Sequence, residues 1–203
     1  MPNTVINVSG DERGARLTIA VPVPELRLAL PPGVAKDADL GSASSRRALR
    51  SYFDSHLSIL SAAGAKQAHV IESIELMRST DPDVGEYQEL ALQAWVPATP
   101  TFDPRAFTLE YDAVIHQVPN HSALVQVTSA ATPPVAASLI TFDFSRNGTR
   151  PLSIRLDGER RDAGAPMLWA LGGLLVVGVF CVIRVRAGRS LTPQAAAGRD
   201  PAA

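Results

Sequence analysis

The chain has 203 residues, which is enough for one domain with a sizeable apolar core and some additional segments. Its formal net charge is −1, so the composition argues against a strongly basic protein that binds nucleic acid. The sequence contains one cysteine, Cys181, which excludes an internal disulfide bond and a cysteine-rich zinc site.

The first predicted strand is ARLTIAVPV, Ala15 to Val23, in which Leu17, Ile19 and Val21 recur at every second position. The residues before it contain no basic region followed by an apolar region, so they do not read as a signal peptide. Two explanations stay open. A signal peptide is missing because the start codon is misassigned, or the protein is tail-anchored with its domain inside the cell.

A helix is predicted in the stretch SSRRALRSYFDSHLSILSAAG, residues 44–64. His56 lies on the same helical stripe as the apolar and aromatic residues Leu49, Tyr52, Phe53, Leu57 and Leu60. Ser44 or Ser45 is the expected N-cap, and Gly64 is the expected stop. The second half of the stretch, HLSIL, has an alternative interpretation as a strand that leads into a turn at Gly64.

Five further stretches read as short strands bounded by Pro, Gly or Asn: YQELALQAWV, FTLEYDAVI, ALVQVTS, ASLITFDFS and PLSIRLD. Asn147–Gly148 predicts a hairpin turn between the last two. The apolar face of FTLEYDAVI should point inward, and it consists of Phe107, Leu109, Tyr111, Ala113 and Ile115. The strands and their spacing predict a mainly β fold, an antiparallel, immunoglobulin-like β-sandwich with one inserted helix.

The stretch YDAVIHQVPNHSALVQV, residues 111–127, contains two histidines on either side of Pro119–Asn120. The simpler interpretation is a hairpin that turns at this Pro-Asn pair. In one register of that hairpin, His116 and His121 share a face and form a candidate metal site, whereas a shift by one residue separates them. A third ligand would have to come from one of two nearby candidates, Asp112 and Asn120.

Motifs for other chemistry are missing from the sequence. It contains no glycine-rich phosphate loop, no zincin motif and no nucleophile elbow with a catalytic triad. We therefore predict no catalytic residue, no cofactor-binding residue and no cofactor, and we do not expect an enzyme.

A run of 19 residues without charge, APMLWALGGLLVVGVFCVI, extends from Ala165 to Ile183. A helix of this length, at about 1.5 Å per residue, roughly spans the 30 Å hydrocarbon core of a bilayer. The alternative is a buried helix of a soluble protein. We predict a β-sandwich domain at residues 1–157, a linker at 158–164, a transmembrane helix at 165–184 and a disordered cytoplasmic tail at 185–203.

The arginines around this run predict its orientation. Three arginines, Arg184, Arg186 and Arg189, lie within six residues after the run, whereas two, Arg160 and Arg161, lie within six residues before it. The positive-inside rule therefore places the tail in the cytoplasm and the N-terminal domain outside it, in a single-pass protein of the cell membrane. The missing signal peptide argues for the opposite orientation.

The order of four stretches, PVPELRLAL, LRSYFDSHLSILSAAG, ALQAWVPA and FTLEYDAVIHQVPNHSALVQV, carries a resemblance. From about Leu17 to Leu156 the chain resembles the extracytoplasmic N-terminal region of HupE/UreJ-type membrane proteins. Members of that family continue into a multi-helix membrane region associated with nickel or cobalt uptake. This sequence has one apolar run and no histidine after His121, so the permease function does not carry over. The resemblance implies a β-rich domain outside the membrane.

Two functional hypotheses follow from the sequence. The first is a membrane-tethered, non-enzymatic β domain that binds a membrane or envelope protein or helps to assemble a membrane complex. The alternative is a metal-binding or metal-delivery accessory protein for nickel, cobalt or copper, which would use His116 and His121.

Overall fold

The computed structural model of the chain describes residues 3–36, 39–128 and 136–156. The linker at 158–164, the predicted transmembrane helix and the predicted tail lie outside these residues. Within the described ranges, no helix has the length and apolar character needed to cross a membrane.

The described part of the chain is mainly β. Its elements in chain order are β1 (Thr4–Asp11), β2 (Gly14–Pro22), α1 (Val23–Ala29), α2 (Pro32–Ala35), α3 (Ala43–His56), β3 (Leu57–Leu60), β4 (Val70–Asp81), β5 (Gly85–Pro97), β6 (Ala106–Tyr111), β7 (Ala123–Val127), β8 (Ala136–Ile140), β9 (Phe142–Asp143), β10 (Gly148–Thr149) and β11 (Leu152–Arg155). All three helices lie between β2 and β3, where the sequence predicted one. Most of the stretch PVPELRLAL forms α1. Pro24 lies in the first turn of this helix, where a proline is compatible with helical geometry.

The largest sheet has six strands in the order β4-β5-β2-β1-β7-β8. Neighbouring strands are antiparallel except β1 and β7, which pair in parallel with Val5 opposite Leu124. The prediction of a wholly antiparallel structure is therefore wrong at this pair. A parallel neighbour is accessible here because β1 and β7 are far apart in the chain, and no tight hairpin sets their direction.

A second sheet has the order β11-β6-β3, and β9 and β10 form a separate hairpin. One apolar cluster contains buried side chains from the six-stranded sheet, the three-stranded sheet, α1 and α3. The alternation predicted for β2 and β5 is confirmed by the fully buried Leu17, Ile19, Val21, Leu90, Leu92, Ala94 and Val96. The apolar faces of the strands thus form the core.

The predicted buried face of residues 107–115 is confirmed. Each of Phe107, Leu109, Tyr111, Ala113 and Ile115 is at most 3% exposed. The strand itself ends at Tyr111, and β6 and β7 belong to different sheets, so the predicted hairpin between them is wrong. The connection cannot continue as a ladder because Val114 has a φ of 67°, outside the extended region.

The helix prediction is correct in its first half. α3 ends at His56, and β3 begins at the next residue, which confirms the strand alternative for the second half of that stretch. The predicted N-cap at Ser44 or Ser45 is wrong: the N-cap is Ser42, whose hydroxyl accepts a hydrogen bond from the Ser45 N–H at 3.2 Å. Gly64 lies in the turn after β3 with a φ of 81°, a conformation that favours glycine.

A hairpin is present at Asn147–Gly148 as predicted, and its strands are β9 and β10, with Thr149 opposite Phe142. The predicted second strand, PLSIRLD, is instead β11, which pairs with β6. The hairpin loop is longer than the two-residue turn typical of an Asn-Gly pair, because its strands stop at Asp143 and resume at Gly148. Asn147 takes the left-handed conformation, with a φ of 51°.

Candidate metal centre

The last turn of α3 places His56 at the edge of the core. Leu49, Tyr52 and Phe53 form the buried stripe of the helix, and His56 follows one turn later on the same side. The His56 side chain is 21% exposed, so its ring lies between the core and solvent. The helical period thus places a titratable side chain where an apolar one would continue the stripe.

The segment after β6 carries the two other residues of the centre. The Asp112 N–H donates to the His56 carbonyl at 3.2 Å, which joins this segment to the end of α3. The His116 N–H donates to the Asp112 carbonyl at 3.0 Å, and Gln117 and Val118 both donate to the Val114 carbonyl. The segment is therefore a compact turn that brings Asp112 and His116 together.

Val114 is a strained point inside this turn. It is fully buried, and a positive φ at a β-branched residue costs about 1–3 kcal/mol. The Tyr52 hydroxyl accepts a hydrogen bond from the Val114 N–H at 2.8 Å, which satisfies a donor that the turn itself does not pair. Burial raises the pKa of Tyr52 to about 12, so the hydroxyl stays protonated at neutral pH.

The three side chains meet at short distances. His56 Nδ1 lies 2.8 Å from Asp112 Oδ1, and the His56 and His116 rings are stacked with centroids 4.1 Å apart and planes inclined by 15°. One ligand atom from each of His56, Asp112 and His116 lies within 4.8 Å of the other two. Two imidazoles and one carboxylate therefore occupy a space of the size of a metal coordination shell.

The hydrogen bonds of the histidines bear on which ring nitrogens can bind a metal. His116 Nδ1 lies 3.1 Å from the Asp112 carbonyl oxygen, which accepts only, so Nδ1 carries the proton and Nε2 keeps its lone pair. A backbone carbonyl on the second nitrogen is a common support for a histidine ligand. The rings must tilt out of their stacked arrangement to direct both lone pairs at one ion, and the χ2 torsion of histidine allows this.

Two clefts open onto the centre. A cleft of about 250 Å³ is lined by His56, Asp112, Glu110 and Thr149 among others. A larger cleft of about 650 Å³ is lined by His56 and His116 and extends along α3 and the residues after α1. His56 lines both, so the centre is accessible from two sides.

His121 lies elsewhere. It is 4% exposed, and its Nε2 is 2.8 Å from the Thr4 hydroxyl at the start of β1. Burial lowers the pKa of His121, which favours the neutral ring. The structure places His116 with His56 and Asp112, and His121 is not a member of that cluster.

The sequence pointed to two of the three residues. His116 was a predicted ligand, and Asp112 was a candidate for the third position. The sequence indicates His56 only as part of the helical stripe, because it lies 56 residues before Asp112 in the chain. No pattern along the sequence joins the end of α3 to the turn after β6.

Another histidine–carboxylate pair lies on the other side of α3. His69 Nε2 is 3.2 Å from Asp54 Oδ1, but the geometry of this contact does not make a hydrogen bond. Within residues 3–36, 39–128 and 136–156, three metal-ligating side chains converge at the His56 cluster and at no second place. The His69 pair therefore serves as a natural control for the centre.

Comparison with protein-family models and with curated proteins finds no match to this chain.

Proposed function

We propose that this chain is a membrane-tethered domain that binds a divalent transition metal through His56, Asp112 and His116. The observation that carries the proposal is the convergence of two imidazoles and a carboxylate within 4.8 Å. Imidazole nitrogen with carboxylate oxygen suits zinc, nickel, cobalt, iron and copper better than calcium or magnesium. The metal hypothesis of the sequence is thereby kept with a different ligand set, in which His56 and Asp112 join His116.

The test is a calorimetric titration of the full-length chain, purified in detergent, with nickel, cobalt, copper and zinc. We expect one ion per chain with a Kd well below about 1 mM, which corresponds to a binding free energy beyond roughly −4 kcal/mol. The double variant His56→Ala/His116→Ala should lose this binding. His69→Ala, which removes a histidine beside a carboxylate outside the cluster, should keep it.

A Kd weaker than about 1 mM for all four metals would overturn the proposal. The same holds if the double variant binds as well as the parent chain. Circular dichroism of each variant shows whether it is folded, so a loss of structure is not mistaken for a loss of ligands. His121→Gln gives a further comparison. The ligand pair predicted from the sequence, His116 and His121, predicts that this variant loses metal binding, whereas the His56, Asp112 and His116 centre predicts that it keeps it.

For the cellular location, we propose a domain outside the cytoplasm, held by a helix at residues 165–184. The support is the uncharged run from Ala165 to Ile183, the arginines that follow it, and the resemblance to the N-terminal region of HupE/UreJ-type proteins.

We also keep the immunoglobulin-like sandwich as a proposal for the finer fold. Its support is that side chains of both larger sheets share one apolar cluster.

Cysteine labelling tests the orientation. Ala63, an exposed residue of the turn after β3, and Ser190 are each replaced by cysteine in a Cys181→Ala background, expressed from the native gene with its upstream region. Intact cells are then treated with a membrane-impermeant maleimide. We expect labelling at position 63 and not at 190. The reverse result would place the domain in the cytoplasm and end the extracytoplasmic proposal.

The protein-interaction function remains a second candidate because of one surface. Leu139 at the edge strand β8 is 57% exposed and Phe144 is 80% exposed, with the Phe142 and Phe144 rings 5.0 Å apart. An exposed phenylalanine beside a strand at the edge of the described part of the sheet is suited to contact with a membrane or envelope protein.

Site-specific photocrosslinking in cells tests this second candidate. A photoreactive phenylalanine analogue at position 144 should crosslink to one discrete protein, and Leu139→Glu should abolish the product. The same analogue at Val84, which is 52% exposed on the β4–β5 turn, is the control and should give none. Equal products at both positions would show that the surface has no specific partner.

A further inference from the structure

The larger cleft beside the metal centre is wider than a metal ion requires. Its volume is about 650 Å³, within the range of small-molecule sites. An ion with six waters fills roughly 180 Å³, at about 30 Å³ for each water molecule. The space that remains is enough for a small organic ligand next to the ion.

The lining of this cleft has two kinds of surface. Leu28, Leu30, Pro31 and Pro32 give an apolar wall, whereas Ser51, Ser55 and Gln117 give neutral polar groups near the histidines. Among the described residues that line it, none is Asp, Glu, Lys or Arg. The cleft therefore offers no fixed charge to a ligand, apart from that of a metal bound at the histidines.

The coordination chemistry indicates what the ligand supplies. Two histidines and one carboxylate on one side of a six-coordinate ion leave three open positions. A divalent ion bound beside Asp112 keeps a net positive charge, which attracts an anionic donor. An amino acid with a ligating side chain supplies the complement of three donors: its amine, its carboxylate and the side-chain group.

The turn that holds Asp112 and His116 does not need a metal to close. The Tyr52 hydroxyl, the His56 carbonyl and the hydrogen bonds within the turn already fix it. Closed structural sites are instead completed by four protein ligands around the ion. This centre has the features of an open site, in which the ion keeps positions for an external ligand.

Resting on the proposed function, we infer that the centre takes its metal as a chelate with a small amino acid, which lies in the 650 Å³ cleft. The amine and carboxylate of the amino acid replace water on the open side of the ion. Its side-chain donor takes the third open position, and the rest of the side chain lies between the apolar wall and the exposed face of α3. The domain then recognises the chelate as one ligand, and neither part binds as well alone.

Equilibrium dialysis with radiolabelled histidine and nickel tests the inference on the full-length chain in detergent. Histidine is the probe because its three donors match the three open positions. We expect about one histidine retained per chain when nickel is present in equal amount, and none without nickel. His56→Ala/His116→Ala should retain neither the metal nor the amino acid.

Two variants separate the cleft from the metal ligands. Ser51→Phe places a bulky ring in the cleft from an exposed position of α3, and it should weaken histidine retention by about tenfold while nickel alone still binds. Arg47→Phe adds the same ring at an exposed position outside the cleft and should change neither.

The outcomes distinguish this inference from the proposed function. Nickel retained with histidine left free would overturn the chelate and leave the metal site standing. A parent chain that retains neither nickel nor histidine would overturn the proposed function. Equal histidine retention in Ser51→Phe and the parent chain would show that the amino acid does not lie in this cleft, and the inference would fail.

Discussion

At the scale of single residues, Tyr52 links the two halves of the candidate centre. It lies on α3 one turn before His56, with their ring centroids 4.5 Å apart, and its hydroxyl accepts the Val114 N–H of the turn that carries Asp112 and His116. This hydrogen bond stabilises the positive φ of Val114. The geometry of the metal ligands therefore depends on a residue that is not itself a ligand.

We expect Tyr52→Phe to lower the free energy of unfolding by about 1–3 kcal/mol, because a buried N–H loses its acceptor. Metal affinity should fall as well, since the turn is less firmly held. Urea unfolding and the nickel titration measure the two effects. Tyr87→Phe is the matched control: its hydroxyl contacts Glu89 at 2.6 Å in a half-buried position, and we expect less than about 1 kcal/mol. Equal losses in both variants would contradict the role assigned to Tyr52.

At the scale of elements, β6 is the strand on which the placement of the centre depends. It is the middle strand of its sheet, with Leu109 opposite Ile59 of β3 and opposite Leu152 of β11. Its pairing with β3 sets the end of α3 beside the turn that follows Tyr111. The site is thus positioned by strand register, with backbone hydrogen bonds fixing the distance between His56 and Asp112.

Leu109→Asp should lower the free energy of unfolding by at least about 3 kcal/mol, because a fully buried leucine is replaced by a charge without a partner. Thr108→Asp, on the half-buried opposite face of the same strand, should cost less than about 1 kcal/mol. Thermal melting of both variants checks this. A Leu109→Asp chain that melts like the parent would show that the facing of β6 is wrong.

The β9–β10 hairpin has its own pH dependence. The Ser145 hydroxyl and the Arg150 guanidinium donate to Asp143 and lower the pKa of its carboxyl to about 2. Because the folded pKa is lowered, this contribution to stability is present above the ordinary value of 3.8 and is lost as the pH falls through about 2.

We expect the Asp143 carboxyl carbon to titrate in NMR with a midpoint near pH 2, and Arg150→Gln to move that midpoint toward the ordinary value. A midpoint near 4 for Asp143 in the parent chain would mean that the Ser145 and Arg150 contacts do not form in solution.

At the scale of the whole molecule, His121 couples the first strand to the connection that precedes β7. Its contact with Thr4 joins residues 117 positions apart, beside the parallel pair of β1 and β7. Because burial lowers its pKa, the unfolded chain binds a proton on His121 more readily than the folded chain does. The contribution of His121 to the free energy of unfolding is therefore fully present above the ordinary pKa of 6.5, and it is lost as the pH falls from there toward the lowered value.

We expect the free energy of unfolding to fall on acidification below about pH 6.5 and His121→Gln to reduce this slope. Glutamine retains a group that can hydrogen-bond Thr4 but does not titrate. Denaturant unfolding of both chains between pH 5 and 8 measures the difference in slope. An unchanged slope would show that His121 is not buried as a neutral ring.

The sequence by itself determined the local features. Period-two alternation identified β2, β5 and β6 and their buried faces, because a strand points successive side chains to opposite sides. Helical spacing identified α3 as a helix, although not its N-cap, and Asn147–Gly148 identified a hairpin turn. Alternation was also present in β1, where Ile6 and Val8 are fully buried, although that strand was not predicted.

Only the tertiary structure decided what depends on contacts between distant parts of the chain. The parallel pairing of β1 and β7 and the assignment of β6 and β7 to different sheets follow from packing, which has no local sequence signal. His116 and His121 are five positions apart and have different surroundings, whereas His56 and Asp112 are 56 positions apart and share a hydrogen bond. A metal centre requires its ligands to lie close together in space, and the register of β3 on β6 brings His56 and Asp112 to that separation.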